Sequence, residues 1–213
     1  LHTVGFWYRK DLFARAGITT PPTTIAELES DDTKLKNAHI VPIAVGSKDK
    51  WPDAFWWEYF ALRTCPTATL KAAMKAVNLS ASCFVQAGDQ LKSFMSTKPF
   101  QTGFLGTPSQ VGAGSSAGMV ANGKAAMELQ GDWDPGVMAP LTADKKLNSD
   151  LGWFPFPAIS GGAGSPTTTL GGGDGFSCTT PAAEPAGAQF LQYIDSTPVQ
   201  KKVVAANVGL PAN

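Results

Sequence analysis

Apolar residues recur along this chain with two periods, and the switches between them outline its elements. Val4, Phe6 and Tyr8 alternate with Gly5 and Trp7, which predicts a strand. It runs into a short helix over 12–16, with Asp11 as a cap and Gly17 as the stop. A second helix begins after Pro21-Pro22, where Thr24 and Glu27 stand in capping-box spacing. "HIVPIAVG" (39–46) is a short apolar, β-branched run and reads as a strand. Helical spacing returns at Pro52, a residue suited to a first turn. From there Phe55, Tyr59 and Leu62 form one stripe, and Trp56 and Phe60 a neighbouring one. Phe55 and Tyr59 are expected in the core, together with at least one of Trp56 and Trp57. Further helical signals cover 67–77 and 85–97. A Gly/Ser/Thr-rich stretch over 99–118 is a loop or a helix entry.

The second half alternates in the same way. A helix end, a turn at Asn122-Gly123, an alternating strand over 124–130, a turn and a helix follow one another. "LGWFPFPAI" (151–159) is extended, 160–168 is a loop, and 167–179 is a glycine-interrupted strand. A last helix begins near Pro181. Strands separated by helices predict an α/β architecture, and no internal repeat is evident.

Composition narrows the functions open to this fold. The 213 residues suffice for one or two domains with a proper core. Formal net charge is +0, which argues against nucleic acid or an anionic membrane surface as the main partner and leaves neutral ligands. No apolar run approaches the ~18 residues of a membrane-spanning helix. The chain opens without Met or a leader, as expected of a mature product or a piece of a longer chain. His2 and His39 are the two histidines, and no cysteine has zinc-site spacing, so neither a metal nor a cofactor is expected. Of three cysteines, Cys65 and Cys83 bracket one short stretch. A disulfide there would close a small loop and favour an exported protein, the alternative being two separate buried thiols; Cys178 is left over. Asn78-Leu79-Ser80 is a glycosylation sequon of a length that arises by chance.

Several segments, in order, resemble one family: "GFWYRKDLFARAGI", "IVPIAVGSKDKWP", "FQTGFLG", "ANGKAAMELQGDWDPG", "DLGWFPFPA", "LGGGDGFS" and "VGLPAN". The series is similar to the sugar-binding subunits of ABC importers, the type II extracytoplasmic solute-binding proteins related to maltose-binding protein. The resemblance implies a periplasmic-binding-protein type II fold of two α/β lobes closing on a ligand. It implies that residues 1–165 are mainly the C-terminal lobe. Residues 166–213 would be a crossover segment belonging to the other lobe, with flanking N- and C-terminal segments lacking. It further implies an oligosaccharide ligand, the transmembrane subunits of an ABC permease as partners, and completion of the cleft by missing lobe segments or a second copy. The location would be extracytoplasmic, periplasmic or at the cell surface, with a lipid anchor in the full-length form. No catalysis is implied.

Sugars present hydroxyls and a C–H face on each ring, so a sugar site needs aromatic planes beside polar groups in a cleft. Trp51 meets that description, because it stands between Lys48-Asp49-Lys50 and Pro52 at a loop-helix junction. "GDW" is second: the strand over 124–130 would deliver Asp132 and Trp133 to its C-terminal end, where α/β sheets bind ligands. The resemblance places a sugar-stacking aromatic at Trp133. For Asp132 the alternative is a cap on the helix near Pro135, and for Asp53 a cap is the favoured reading. "GGGDG" is third, with Gly172, Gly173 and Asp174 as cleft residues by resemblance, or a bulge and crossover bend. Lys48 and Asp49 read as a solvated turn, and Trp7 and Trp153 as core or interlobe packing. A glycoside hydrolase would need two flanking carboxylates. Glu58, Glu128, Asp132, Asp134 and Asp174 are available, yet no pair has a recognisable signature. A β-sandwich carbohydrate-binding module conflicts with the helical periodicity. The remaining alternative is an incomplete receptor that binds nothing alone.

Overall fold

The alternation at the start of the chain builds the strand around which the sheet is organised. In the computed structural model, which describes residues 2–173, 175–180, 184–206 and 211, β1 (His2–Arg9) pairs antiparallel with β3 (Ala125–Gly131) on one side. On its other side it pairs with β4 (Leu151–Phe154). β2 (Val41–Ala44) lies parallel to β3, giving the order β2-β3-β1-β4. The start of β1 also pairs with β5 (Gly171–Gly172), His2 opposite Gly172.

Helices cover both faces of this sheet. The larger core gathers Val4, Phe6, Met127, Leu129 and Phe154 from the sheet. To these it adds residues of α1 (Lys10–Arg15), α2 (Ile25–Asn37), α3 (Trp51–Thr64), α4 (Thr67–Ala76) and α5 (Ser82–Ser96). The opposite face packs Ala44 and Ala125 on α6 (Ser116–Ala121) and α7 (Asp134–Met138), with Trp7 at its margin. β3 is therefore buried along its whole length, which is why its expected alternation does not become an exposed face. The chain closes with α8 (Glu184–Ile194) and α9 (Thr197–Ala205). No helix among the described residues is long and apolar enough to cross a membrane.

Most of the aromatic density of 48–60 is core. Trp56, Tyr59 and Phe60 are buried, while Phe55 and Trp57 are partly buried against the same cluster. Tyr59 lies flat on Phe156, with centroids 4.4 Å apart. Arg63, also on α3, is 1% exposed and has no carboxylate partner among the described residues. Its guanidinium donates instead to the carbonyls of Pro157 (3.1 Å), Ser165 (2.9 Å), Thr168 (2.7 Å) and Phe156 (2.8 Å). It also stacks over Tyr59 and Phe156. The Tyr59 hydroxyl donates to the Val4 carbonyl and accepts from Leu170 N–H at 3.2 Å. One helix thus fixes the segment that leaves β4 and returns to β1.

The local signals largely behave as read. Thr24 and Glu27 form the capping box, and Gly17 follows α1 with φ +74°. Cys65 and Cys83 are joined, with Cα atoms 5.2 Å apart, a link of ~3 kcal/mol in the chain-entropy account. Four readings need correction. Asp11 is not the N-cap: Arg9 is the N-cap of α1, and its guanidinium donates to both Asp11 oxygens at 2.8 Å, while Asp11 stands within the first turn beside the Leu12 N–H. Asp53 lies inside the first turn of α3 and takes the Ser47 hydroxyl at 2.7 Å. Trp153 is 39% exposed on β4, its indole lying across Gly5 where no side chain intervenes, so of its two readings, core or interlobe packing, the core one is overturned. The glycine-interrupted strand shrinks to Gly171–Gly172, and α9 was not foreseen. Asp174, Pro181 and most of "VGLPAN" lie outside the described residues.

Asp32 on α2 is 1% exposed, and neither carboxyl oxygen has a hydrogen-bond partner. Burial pushes its pKa up to about 8, against a weaker opposing pull from Lys36. The native state then holds a proton that the unfolded chain releases in the ordinary carboxyl range. Stability contributed by that proton is full below that range and is lost as pH rises towards 8. We expect the stability of Asp32→Asn relative to the unsubstituted chain to rise with pH by up to about 1.4 kcal/mol per unit through this window, then level off. Urea denaturation at a series of pH values checks this, and parallel pH profiles for the two chains would contradict it.

Candidate functional site

A groove of ≈ 500 Å³ opens at the C-terminal end of β3, lined by His2, Trp51, Gln110, Trp133, Gly136, Val137 and Ala206. Two of the sequence candidates, Trp51 and Trp133, meet there as tilted neighbours, with ring centroids 6.2 Å apart at 54°.

Trp51 owes its position to the turn before it. A 3-10 turn over Ser47–Asp49 ends in Lys50, whose φ of +66° is uncommon for a residue with a side chain. That reversal starts α3 with Trp51 facing out at 38% exposure, its edge against Phe55. The turn is bolted to the loop carrying Gln110. Ser109 N–H donates to Asp49 at 2.7 Å, and Lys48 N–H donates to the Thr107 carbonyl at 3.1 Å. Gly46 lies so close to Ser109 that a Cβ would stand 2.3 Å from its Cα, so only glycine allows the two loops to touch. Behind them, Gln130 donates to the Ser109 hydroxyl at 3.1 Å. Asp49 is therefore a loop clamp, and the solvated-turn reading holds for Lys48 alone.

Trp133 is placed by Gly131. The indole folds back over this glycine, where a Cβ would lie 2.1 Å from the ring. On its outer side the ring meets the edge of His2, with centroids 4.9 Å apart at 88°. Asp132 points the other way. Its Oδ1 lies 3.0 Å from His2 Nδ1 and accepts Thr3 N–H at 3.3 Å, and its own N–H donates to the Thr3 carbonyl. It does not cap α7, whose N-cap is Trp133 without a side-chain bond. The carboxylate thus holds the imidazole against the tryptophan.

The other candidates stand apart from the groove lining. Gly172 and Gly173 are exposed, and Gly172 reaches the site through its pairing with His2. Asp174 lies outside the described residues. The sequence reading missed His2, which looked like a stray terminal histidine, and Gln110, which lay within an undivided polar loop. The pairing of β1 with β3 brings the first to Asp132, and the Asp49–Ser109 bond brings the second opposite Trp51. Among the described residues lining the groove none is Asp, Glu, Lys or Arg, and its polar side-chain groups are the His2 ring, the Gln110 amide and the two indole N–H groups. Such a site offers flat apolar faces and neutral hydrogen-bond partners.

A family model described as bacterial extracellular solute-binding protein matches residues 1–201. No curated protein matches the sequence. Among solved structures, one concerned with xylan utilization by the thermophilic bacterium Caldanaerobius polysaccharolyticus superposes with a TM-score of 0.86 at 24% identity, covering 99% of this chain and 53% of that one. A chitin oligosaccharide binding protein gives 0.83 at 24% identity, covering 99% and 52%. RafE, in complex with raffinose, gives 0.70 at 18% identity, covering 99% and 54%. The fold is that of the type II periplasmic binding proteins, and this chain spans about half the length of these structures.

Because Gly131 sets the tryptophan, Gly131→Ala should push the Trp133 ring off its seat and separate it from His2. Overpacking of this kind costs roughly 1–3 kcal/mol. The expected result is a displaced Trp133 indole N–H resonance with unchanged far-UV circular dichroism. An indole resonance that does not move would contradict the placement.

Proposed function

This chain belongs to the bacterial extracellular solute-binding proteins, and from that premise we propose that its groove binds a neutral oligosaccharide for delivery to an ABC permease. The observation that carries the reading is the pair Trp51 and Trp133, 6.2 Å apart over an uncharged groove. Aromatic planes match the C–H faces of pyranose rings, and an uncharged lining favours a neutral sugar over an acidic one. The His2 ring, oriented by Asp132, and the Gln110 amide take hydroxyls. Gly172, Gly173 and Asp174, carried on the segment after Arg63's carbonyl partners, are proposed as further hydroxyl ligands. Residues 1–165 then form the C-terminal lobe and 166–213 the crossover into the other. Closure of that lobe completes the cleft and gives the permease a shape to read. The mechanism is binding and release without covalent chemistry, in an extracytoplasmic, lipid-anchored full-length protein. Relatives of this fold described as binding chitin oligosaccharide and raffinose support the sugar class.

Isothermal titration against a panel of xylo-, cello-, malto- and chito-oligosaccharides tests this. One class should bind saturably, and Trp133→Ala should weaken it about tenfold or more, a change of about 1.4 kcal/mol. Full affinity in Trp133→Ala would remove the ring from the site. Silence across the panel would leave the chain an incomplete receptor whose absent lobe supplies the affinity.

A further inference from the structure

Directly beneath the Trp133 turn, Glu128 and Asp134 are buried together at 2% and 0% exposure. Glu128 Oε1 and both Asp134 oxygens receive no hydrogen bond from any N–H or O–H of the described protein. The Ser116 hydroxyl of α6 lies beside Glu128, but its hydrogen is donated to the Ser109 carbonyl at 3.1 Å. The β1 and β2 residues level with Glu128 are Trp7 and Ala44, which carry no charge. Each carboxyl is the only ionisable group that perturbs the other, and their side chains are in hydrogen-bond contact. Two carboxylates have no proton to share, so that contact exists only when one group is protonated. Removing the last proton would leave adjacent buried charges of like sign and no cation, among the most costly arrangements in a protein interior.

The position of the pair gives this a consequence. Glu128 sits on β3, three residues before Gly131. Asp134 is the first residue of α7, next to Trp133, and α7 also supplies Gly136 and Val137 to the groove. We propose that a proton held between Glu128 and Asp134 fastens α7 to β3 and so positions Trp133, making the groove sensitive to alkalinisation. Both residues are positioning residues here, where sequence alone offered them as paper candidates for hydrolytic acids. The inference deepens the proposed function by naming what regulates that same site, and the part of it that concerns the protein itself can be tested without any sugar.

Burial pushes Asp134 up to about 7 against an opposing pull from its hydrogen bond with Glu128, and burial, with repulsion from Asp134 added, pushes Glu128 well above the ordinary carboxyl range. Ionisation of Asp134 leaves the Glu128 proton to make the bond, so the bond is lost only as pH rises above neutrality into the range where Glu128 gives up the last proton. Glu128→Gln puts a permanent amide donor in place of the proton, so it should keep α7 seated at every pH. The first measurement is near-UV circular dichroism of the ligand-free chain across pH 5 to 9.5, with far-UV spectra confirming the fold. The unsubstituted chain should show one tryptophan transition above neutrality, and Glu128→Gln should show none. The second is the infrared carbonyl stretch of protonated carboxylic acid at neutral pH. It should diminish in Glu128→Gln and in Asp134→Asn. Asp32→Asn, which removes the other buried proton, should diminish that band without touching the dichroism transition. A flat profile in the unsubstituted chain, or a transition that survives in Glu128→Gln, would overturn the proposal. A sugar affinity that fails to appear at any pH, with the transition present, would fault the binding assignment alone.

Discussion

A buried guanidinium with no counter-ion holds this structure together. Arg63 faces backbone carbonyls and two aromatic faces instead of a carboxylate. A charge in that position costs several kcal/mol to desolvate, and its hydrogen bonds repay that only if every donor is met. The consequence is geometric. The carbonyls belong to one irregular stretch, Phe156 to Thr168, whose cross-strand pairing is confined to a single bridge between Ala158 and Thr24. The fork of Arg63 fixes the rest of it, and Tyr59, one turn earlier on α3, ties Leu170, just past this stretch, to Val4 of β1. The N-terminus of α3 carries Trp51. The helix that presents one wall of the groove therefore also fixes the path of the chain back to His2, which stands at the other wall.

The groove itself is assembled from contacts between loops. Gly131 yields its side-chain space to Trp133, and Gly46 yields its own to Ser109. Asp49, Ser109 and Gln130 then brace the Trp51 turn against β3. Asp132, next in sequence to the ring it serves, acts through His2. An aromatic binding surface is useful only if its planes stay where the ligand expects them, because preorganisation is what separates a site from a collection of exposed rings. Here each tryptophan is flanked by an edge-on aromatic partner, Phe55 or His2, which limits its rotation.

Where chemistry is local, the chain could be read directly. The Thr24–Glu27 box, Pro52 in a first turn, and Trp51 at a loop-helix junction depend on neighbours within a few residues, and each lies where the pattern put it. "GDW" was legible because strands end in loops at a predictable edge of the sheet. Illegible features depend on partners far away in sequence. Nothing near His2 signals Asp132, 130 positions on. Arg63 looked like an ordinary helix-end cation, since its acceptors are main-chain oxygens that no sequence displays. Glu128 and Asp134 were read only as spare carboxylates for a hydrolase, because burial of β3 on both faces follows from α6 and α7 folding over it. Asp53 was misjudged for a related reason: a cap at Asp53 requires the helix to start at Ala54, and it starts three residues earlier, at Trp51.

The central claim is that Trp51 and Trp133 are the rings that meet the ligand while the remaining tryptophans serve packing. The most direct test is an NMR titration of the six indole N–H resonances, assigned by single Trp→Phe substitutions, with the oligosaccharide class that binds. The account predicts that Trp51 and Trp133 shift together and saturate with the sugar, while Trp56 stays still. Saturating shifts confined to Trp153 or Trp7, with Trp51 and Trp133 unmoved, would place the ligand elsewhere and contradict it.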